Sequence, residues 1–550
     1  MHQAKDRREN SEASHLAWER NFREIFLLSL LAILLYFPAL GWRDVWAPVE
    51  PRYAEIARVM LAKGEWIVPT VNGALYTDKP ILYFWLVLVG SQLAGAVNEW
   101  TVRLPSALSA LGLVLTTYFL GRDLLSPRVG LLGAIVLATS ARVLWEARWA
   151  HTDMAFTFFF TLSLYFFSRA MLRKGKPKEF LLAYALMALA TLTKGLIGLV
   201  LPGVIVAAFV AVRREWRAVL QWRVPSGILV FLSIAAPWFL SVSLATEGKW
   251  LREFIFTHHI ERYTSGLGHR QPFYYYLVSF PADFLPWTVF LPPAIWACRS
   301  RLKLLREPGA LFLFLWFMAV FLFFSLSDTK RDLYLLPLFP PAALFAACYF
   351  ASLMDGEIAQ DFLYRSLGQL FFNLLWIGAL SLPVIAWLYQ REAFWISLPV
   401  ALVFAGGALM TAAGIWRKFP ARVFFSTAVT VLLGALSASL LVLPFVDSYK
   451  SPRAFAFAVG RIVPSAQPLY IYADTMNDFN FYTGREVIPV LSSPAELESI
   501  VARAGTAYLV VRERDVQRLG SGAAGEILAE GRVGDKKWRL IQVGKRGNES

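Results

Sequence analysis

Pro225-Ser-Gly-Ile-Leu-Val-Phe-Leu-Ser-Ile-Ala-Ala-Pro-Trp-Phe-Leu-Ser-Val-Ser-Leu244 runs without a charge over the length a helix needs to cross a bilayer, about 20 residues. Ile25 to Trp42 and Val429 to Val446 read the same way. Of 550 residues 57% are hydrophobic and only 17% charged, with 43 Phe and 20 Trp, a balance too apolar for a water-soluble fold. The chain therefore reads as a polytopic α-helical membrane protein. Its net charge of +15 is spread in short basic clusters between apolar runs, which is the pattern of orientation signals rather than of a nucleic-acid surface. Cys298 and Cys348 lie in or beside apolar runs with no metal-knuckle or disulfide spacing, and are expected to be packing residues. Residues 1–23 are too polar for a cleaved leader. The first apolar run reads as an uncleaved anchor behind a cytoplasmic tail, residues 1–24.

Spans are expected near 25–42, 103–121, 128–145, 153–172, 179–194, 197–212, 226–244, 281–298, 309–326, 334–353, 367–389, 395–416 and 424–446, roughly thirteen by length. Parity governs the extra run 81–97. The basic groups Arg122 and Arg128; Arg173 to Lys178; Arg213, Arg214 and Arg217; Arg299 to Arg306; and Arg417 to Arg422 all fall inside only if that run does not cross. It is expected along the outer interface, where Ile81-Leu-Tyr-Phe-Trp85 suits a headgroup boundary. Loops 43–102, 146–152, 245–280 and 327–333 then open on one outer face of the membrane, together with everything after the last span. Residues 25–448 form the membrane domain. Residues 449–550 read as a small α/β domain outside the membrane, with strands 468–473, 506–511 and 538–543 and a helix at 495–504.

The densest signal is Trp46-Ala-Pro-Val-Glu-Pro-Arg-Tyr-Ala-Glu-Ile-Ala-Arg58, then Gly64-Glu-Trp-Ile-Val-Pro69 and Tyr76-Thr-Asp-Lys-Pro80. Pro51 suits a first helical turn. Tyr53, Ile56, Ala57 and Met60 would share one face of a helix lying on the membrane, with Arg52, Glu55 and Arg58 elsewhere, so Glu50, Arg52, Glu55 and Arg58 are either site residues or a solvated, ion-paired face. Asp153 stands at the mouth of a span, where a carboxylate is costly and is usually functional or paired; the plainer reading makes it the N-cap of a helix beginning at Met154. His151, His258, His259 and His269 cluster near the outer face, and two imidazoles with Asp78 would make a zinc site if their loops meet. Lys79, Lys194, Arg262, Arg270, Lys330 and Arg331 put cations on a face where orientation rules disfavour them, which fits a bound phosphate or, more plainly, lipid headgroups.

At these residues the chain resembles bacterial membrane glycosyltransferases of the protein O-mannosyltransferase superfamily with the GT-C fold, most closely the lipid A aminoarabinose transferases. The resemblance rests on residues 48–58, 64–69 and 76–80, Thr-Lys-Gly at 193–195, His-His-Ile-Glu-Arg-Tyr at 258–263 and Lys-Arg-Asp-Leu-Tyr-Leu-Leu-Pro at 330–337. It implies an undecaprenyl-phosphate sugar donor, a cavity under the first external loop, an acceptor such as lipid A or another envelope glycan, and an inverting reaction. By position it implies Lys79, Arg262 and Tyr334 for the carrier phosphate, Asp153 as a catalytic or acceptor-positioning acid, and Asp78, His258 and His259 as ligands for a divalent metal such as zinc. Arg52, Tyr53, Arg58, Tyr76, Lys194, Arg270, Lys330 and Arg331 complete the expected substrate-binding set. The family's first external loop opens with an Asp-Glu pair where this chain has Val49-Glu50. Glu50 is then the first choice for the missing acid, with Asp44 and Glu55 behind it.

The implied reaction needs a group to activate an acceptor oxygen and cations to stabilise a departing phosphate. The rivals are a protein O-mannosyltransferase, and a transporter or flippase, which would place ionisable groups within its spans rather than in loops and at helix mouths. A receptor anchored by so many spans is a poorer fit.

Overall fold

The computed structural model describes residues 2–173, 176–261, 270–299, 306–358, 362–519 and 525–544. Among them, eight helices are long and apolar enough to cross a membrane, or nine if Pro127–Ala138 and Ala141–Ala147, bent by 65°, are one span. Four expected spans fall outside that set. In helix His2–Tyr36 only the second half is apolar. Pro177–Lys194 carries charge at both ends, and Ile197–Arg213 is one turn short of the usual length. The run 281–298 is broken into the end of Tyr275–Asp283, a tight turn Trp287–Phe290 and Leu291–Arg299, with Pro286, which lacks an N–H, at the interruption. Run 81–97 is a helix of 13 residues, Leu82–Ala94, about 20 Å long at 1.5 Å per residue and too short to cross.

The chain divides into two compact units. One comprises residues 1–38, 106–240 and 252–440 and is built from apolar helices. Its close approaches use small residues: a Cβ on Gly130 would lie 2.5 Å from the Tyr118 carbonyl oxygen.

The other unit joins residues 39–105 and 241–251 to 441–550, so the first loop and the C-terminal segment share a core. A hairpin, β1 Thr70–Val71 and β2 Ala74–Leu75, turns on Asn72 and Gly73, both with positive φ. The five-stranded sheet runs in the order β4 Val490–Leu491, β3 Leu469–Tyr472, β5 Thr506–Arg512, β7 Lys536–Gly544, β6 Glu526–Val533. β3 is parallel to β4 and β5, and β7 is antiparallel to both its neighbours. Leu509, Val511, Ile541 and Val543 face a core with Leu497 and Leu519. Helix Pro494–Ala504 is N-capped by Ser493, whose Oγ accepts from Glu496 N–H at 3.4 Å, and Glu496 Oε2 in turn accepts from Ser492 N–H, just before the cap, at 2.9 Å.

Candidate functional site

In the helical unit, His151 is extended backbone (φ −133°, ψ 145°) and helix Thr152–Leu172 begins directly after it. Asp153 is thus the second helical residue and not the N-cap that its spacing allowed. A first-turn acid also sits well against the helix dipole. Its Oδ1 accepts a hydrogen bond from Lys194 Nζ, the last residue of helix Pro177–Lys194; both side chains are less than 10% exposed. The same ammonium lies 5.1 Å from the Phe156 ring centroid and 4.9 Å from that of Tyr334, a distance at which both ring faces favour a cation. Gly195 ends this helix at φ 90°, a backbone position closed to most side chains, which puts Lys194 at the helix end. Three residues far apart in sequence thereby meet: Asp153, Lys194 and Tyr334.

Beside them runs a polar chain that the sequence reading passed over. His151 Nδ1 is 2.9 Å from Glu146 Oε2. Arg142 reaches Glu146 at 3.4 Å and Asp283 at 2.7 Å and also binds Asp332, which accepts from the Tyr275 hydroxyl at 3.4 Å. Lys330 is buried and donates to the carbonyls of Gln271, at 3.1 Å, and Ser327, so it fixes loop backbone. Arg270 is exposed and pairs by backbone with Thr329. Arg331 is half-buried and its carbonyl accepts from the Tyr276 hydroxyl at 3.2 Å. His258 is half-buried on a wide helical turn, Phe256–Glu261. The His259 side chain, Arg262 and His269 lie outside the described residues.

In the second unit helix Glu50–Lys63 is buried nearly all round, which corrects the expectation of an amphipathic helix with a solvated charged face. Glu50 is fully buried. Arg43 grips it at 2.7 and 3.0 Å, Arg103 at 2.8 and 3.0 Å, and the Trp46 N–H adds a fifth donor at 3.2 Å. The two guanidiniums hold its carboxyl below the usual range against the burial that would raise it. Every oxygen is thus occupied by a donor, which favours a structural role for Glu50 over the catalytic one expected of it. Asp44 is equally committed, to Arg453 at 2.8 Å and Ser451 at 2.5 Å. Glu55 is buried against Arg58, with both bonds 2.7 Å, and burial pushes its carboxyl up to about 7. None of the three stands in as a free acid at Val49.

Arg43 and Arg103 were missed, although a signal was present: Arg103 opens an apolar run, where a cation has to find a partner. Tyr53 and Tyr76 are buried in an aromatic cluster, 6.4 Å apart and each within 6 Å of the Phe84 ring, with the half-buried Arg52 charge beside Tyr76. Asp78 Oδ1 accepts from Lys79 Nζ at 3.0 Å. Among the described residues no group of three or more His, Cys, Asp or Glu side chains could hold a metal ion.

Residues 21–251 match the family profile described as dolichyl-phosphate-mannose-protein mannosyltransferase. An undecaprenyl phosphate-alpha-4-amino-4-deoxy-L-arabinose arabinosyl transferase of Edwardsiella ictaluri is 31% identical over 404 residues, 72% of this chain and 71% of that one. A protein of the same name in Pseudomonas paraeruginosa is 31% identical over 435 residues, 76% of each chain. The crystal structure of ArnT from Cupriavidus metallidurans in the apo state matches with a TM-score of 0.77 at 22% identity, over 96% of this chain and 98% of that one. The same protein bound to undecaprenyl phosphate gives 0.76 at 21%, over 94% and 97%. The expected GT-C fold is therefore the observed one, and the transporter reading gives way to an enzyme. The chain belongs to the family of undecaprenyl phosphate-alpha-4-amino-4-deoxy-L-arabinose arabinosyl transferases and is a multi-pass membrane glycosyltransferase.

Proposed function

We propose that this protein transfers 4-amino-4-deoxy-L-arabinose from undecaprenyl phosphate to lipid A at the periplasmic face of the bacterial inner membrane, with the C-terminal sheet on that side. The observation that carries the reading is the buried pair of Asp153 and Lys194 over the Tyr334 ring, in a chain whose relatives bear that activity in their names. An acceptor oxygen attacks the anomeric carbon, the bond to the carrier phosphate breaks, and that phosphate leaves as an anion. Lys194 meets the anion with a compact charge; as the phosphate draws on the ammonium, Asp153 is released to take or orient the acceptor's proton. Tyr334, whose ring lies 4.9 Å from the same ammonium, is the further contact we assign to the carrier phosphate. Glu50 has a structural role, fixing the first external loop through Arg43 and Arg103.

The test is mass spectrometry of lipid A from cells with and without the protein, and with Asp153→Asn. An aminoarabinose mass that only the wild type restores supports the reading. An unchanged lipid A with an altered envelope glycan moves the acceptor, and no change anywhere removes the proposal.

A further inference from the structure

The helical unit contains a cavity of about 370 Å³ whose lining includes none of Asp153, Lys194 and Tyr334. Helices Thr152–Leu172, Pro177–Lys194 and Ile197–Arg213 wall it, and the short helix Trp216–Gln221 contributes Trp216 and Val219. Its origin is legible in one helix face. Leu199, Pro202, Gly203, Val206, Ala207 and Val210 recur at helical spacing, and the small residues Gly203 and Ala207 make a trough in the middle. A Cβ on Gly198 would lie 2.5 Å from the Thr191 backbone nitrogen, whereas one on Gly203 would meet nothing within 4 Å. The two helices touch near Gly198 and part at Gly203.

The lining asks for hydrocarbon. The Ser163 hydroxyl already donates to the Phe160 carbonyl at 2.7 Å, and the other walls are Leu, Val, Phe, Trp and Met side chains with the Tyr184 ring. A lining of this kind favours apolar ligands over water. The adjoining segment asks for an anion. Arg213, Arg214, Arg217 and Arg223 are exposed, Glu215 is the one acid in 213–223, and it is paired with Arg213 at 2.8 Å. Arg214 and Arg223 hold left-handed backbone (φ 57° and 54°) at either end of the short helix, a conformation costly for a side chain that bears a Cβ. Trp216 and Leu220, 61% and 87% exposed, suit a headgroup boundary.

We propose that the cavity takes one acyl tail of an anionic glycerophospholipid, from the leaflet in which these arginines stand, with the headgroup phosphate on Arg214, Arg217 and Arg223. The site is independent of the donor and acceptor assigned above. It is tested on the full chain reconstituted in vesicles containing phosphatidylglycerol with a photoreactive diazirine on the acyl chain, followed by peptide mapping of the label. Labelling is expected within 199–224. It should fall about a hundredfold in Arg214→Gln/Arg217→Gln/Arg223→Gln, since each cation near an anionic headgroup counts for about fivefold. Gly203→Phe, which fills open space, should abolish the label while sugar transfer continues; if that variant fails to fold, Ala207→Leu takes its place. The proposal is overturned if phosphatidylcholine with the same tail labels equally, if a folded cavity-filling variant still labels, or if polyprenyl phosphate erases the label and so claims the cavity for the donor.

Discussion

Two glutamates five positions apart on helix Glu50–Lys63 respond to their surroundings in opposite directions. Glu50 is matched by two guanidiniums, so its folded-state carboxyl is depressed; the stability it contributes is present above about pH 4.5 and is lost as the pH falls towards its lowered folded value. Glu55, with one half-buried guanidinium, is raised from 4.5 to about 7 by burial. Its protonated form favours the folded chain, so that contribution is complete below pH 4.5 and fades as the pH climbs to 7. Glu55→Gln should therefore flatten the dependence of the thermal midpoint on pH between 4.5 and 7; an unaltered slope would show that Glu55 does not titrate there. Glu50→Gln strands two buried cations and should destabilise by about 3–5 kcal/mol, while transfer per folded molecule persists. Lost transfer at an unchanged midpoint would return Glu50 to the chemistry. Asp153→Asn should cut turnover by about a hundredfold or more, the usual worth of a positioned proton acceptor. Because it also leaves Lys194 uncompensated, the comparison to make is with Asp153→Asn/Lys194→Met, which should regain stability but not activity.

Among the elements, the Asn72-Gly73 hairpin shows a turn working as an edge clasp. Asn72 Oδ1 accepts from Ile488 N–H at 2.7 Å and from Asn480 Nδ2 at 3.0 Å, and its Nδ2 donates to the Ile488 carbonyl at 3.1 Å. It thereby pairs with the backbone just before β4, much as another strand would. Asn72→Ala should cost about 1–3 kcal/mol through the groups left unpaired, seen as a lower thermal midpoint. The Asn-Gly pair was a legible hairpin signal that the sequence reading did not use. Helix Pro127–Ala138 depends instead on what is missing from Gly130: a methyl there would press on the Tyr118 carbonyl and on the Arg122 backbone nitrogen, at 2.5 and 2.6 Å. Gly130→Ala should lower the yield of folded protein in membranes, and normal yield would mean that the helices separate at little cost.

At the scale of the molecule, the first loop and the C-terminal segment fold as one unit. Asp447 accepts from the Asp44 N–H at 3.0 Å and from the Trp46 indole at 2.6 Å, and the Tyr482 hydroxyl accepts from the Val45 N–H at 2.9 Å and donates to Glu99 at 3.2 Å. Removing residues 441–550 should leave 39–105 without these partners and open to limited proteolysis; a protected loop would show that it folds alone. The sequence by itself determined the membrane class, most of the apolar helices, strands near 468–473, 506–511 and 538–543, and a set of loop motifs specific enough to resemble one family, because span length, strand alternation and rare charges at helix mouths are local properties of a chain. It did not separate the acids. Asp153 and Glu50 look alike on paper, each a carboxylate beside an apolar run, and only the tertiary structure gave Glu50 two buried arginines from distant segments and Asp153 a lysine between two aromatic rings. Whether a carboxylate holds a fold or performs chemistry depends on which donors the fold brings to its oxygens, and those donors come from residues scattered along the chain.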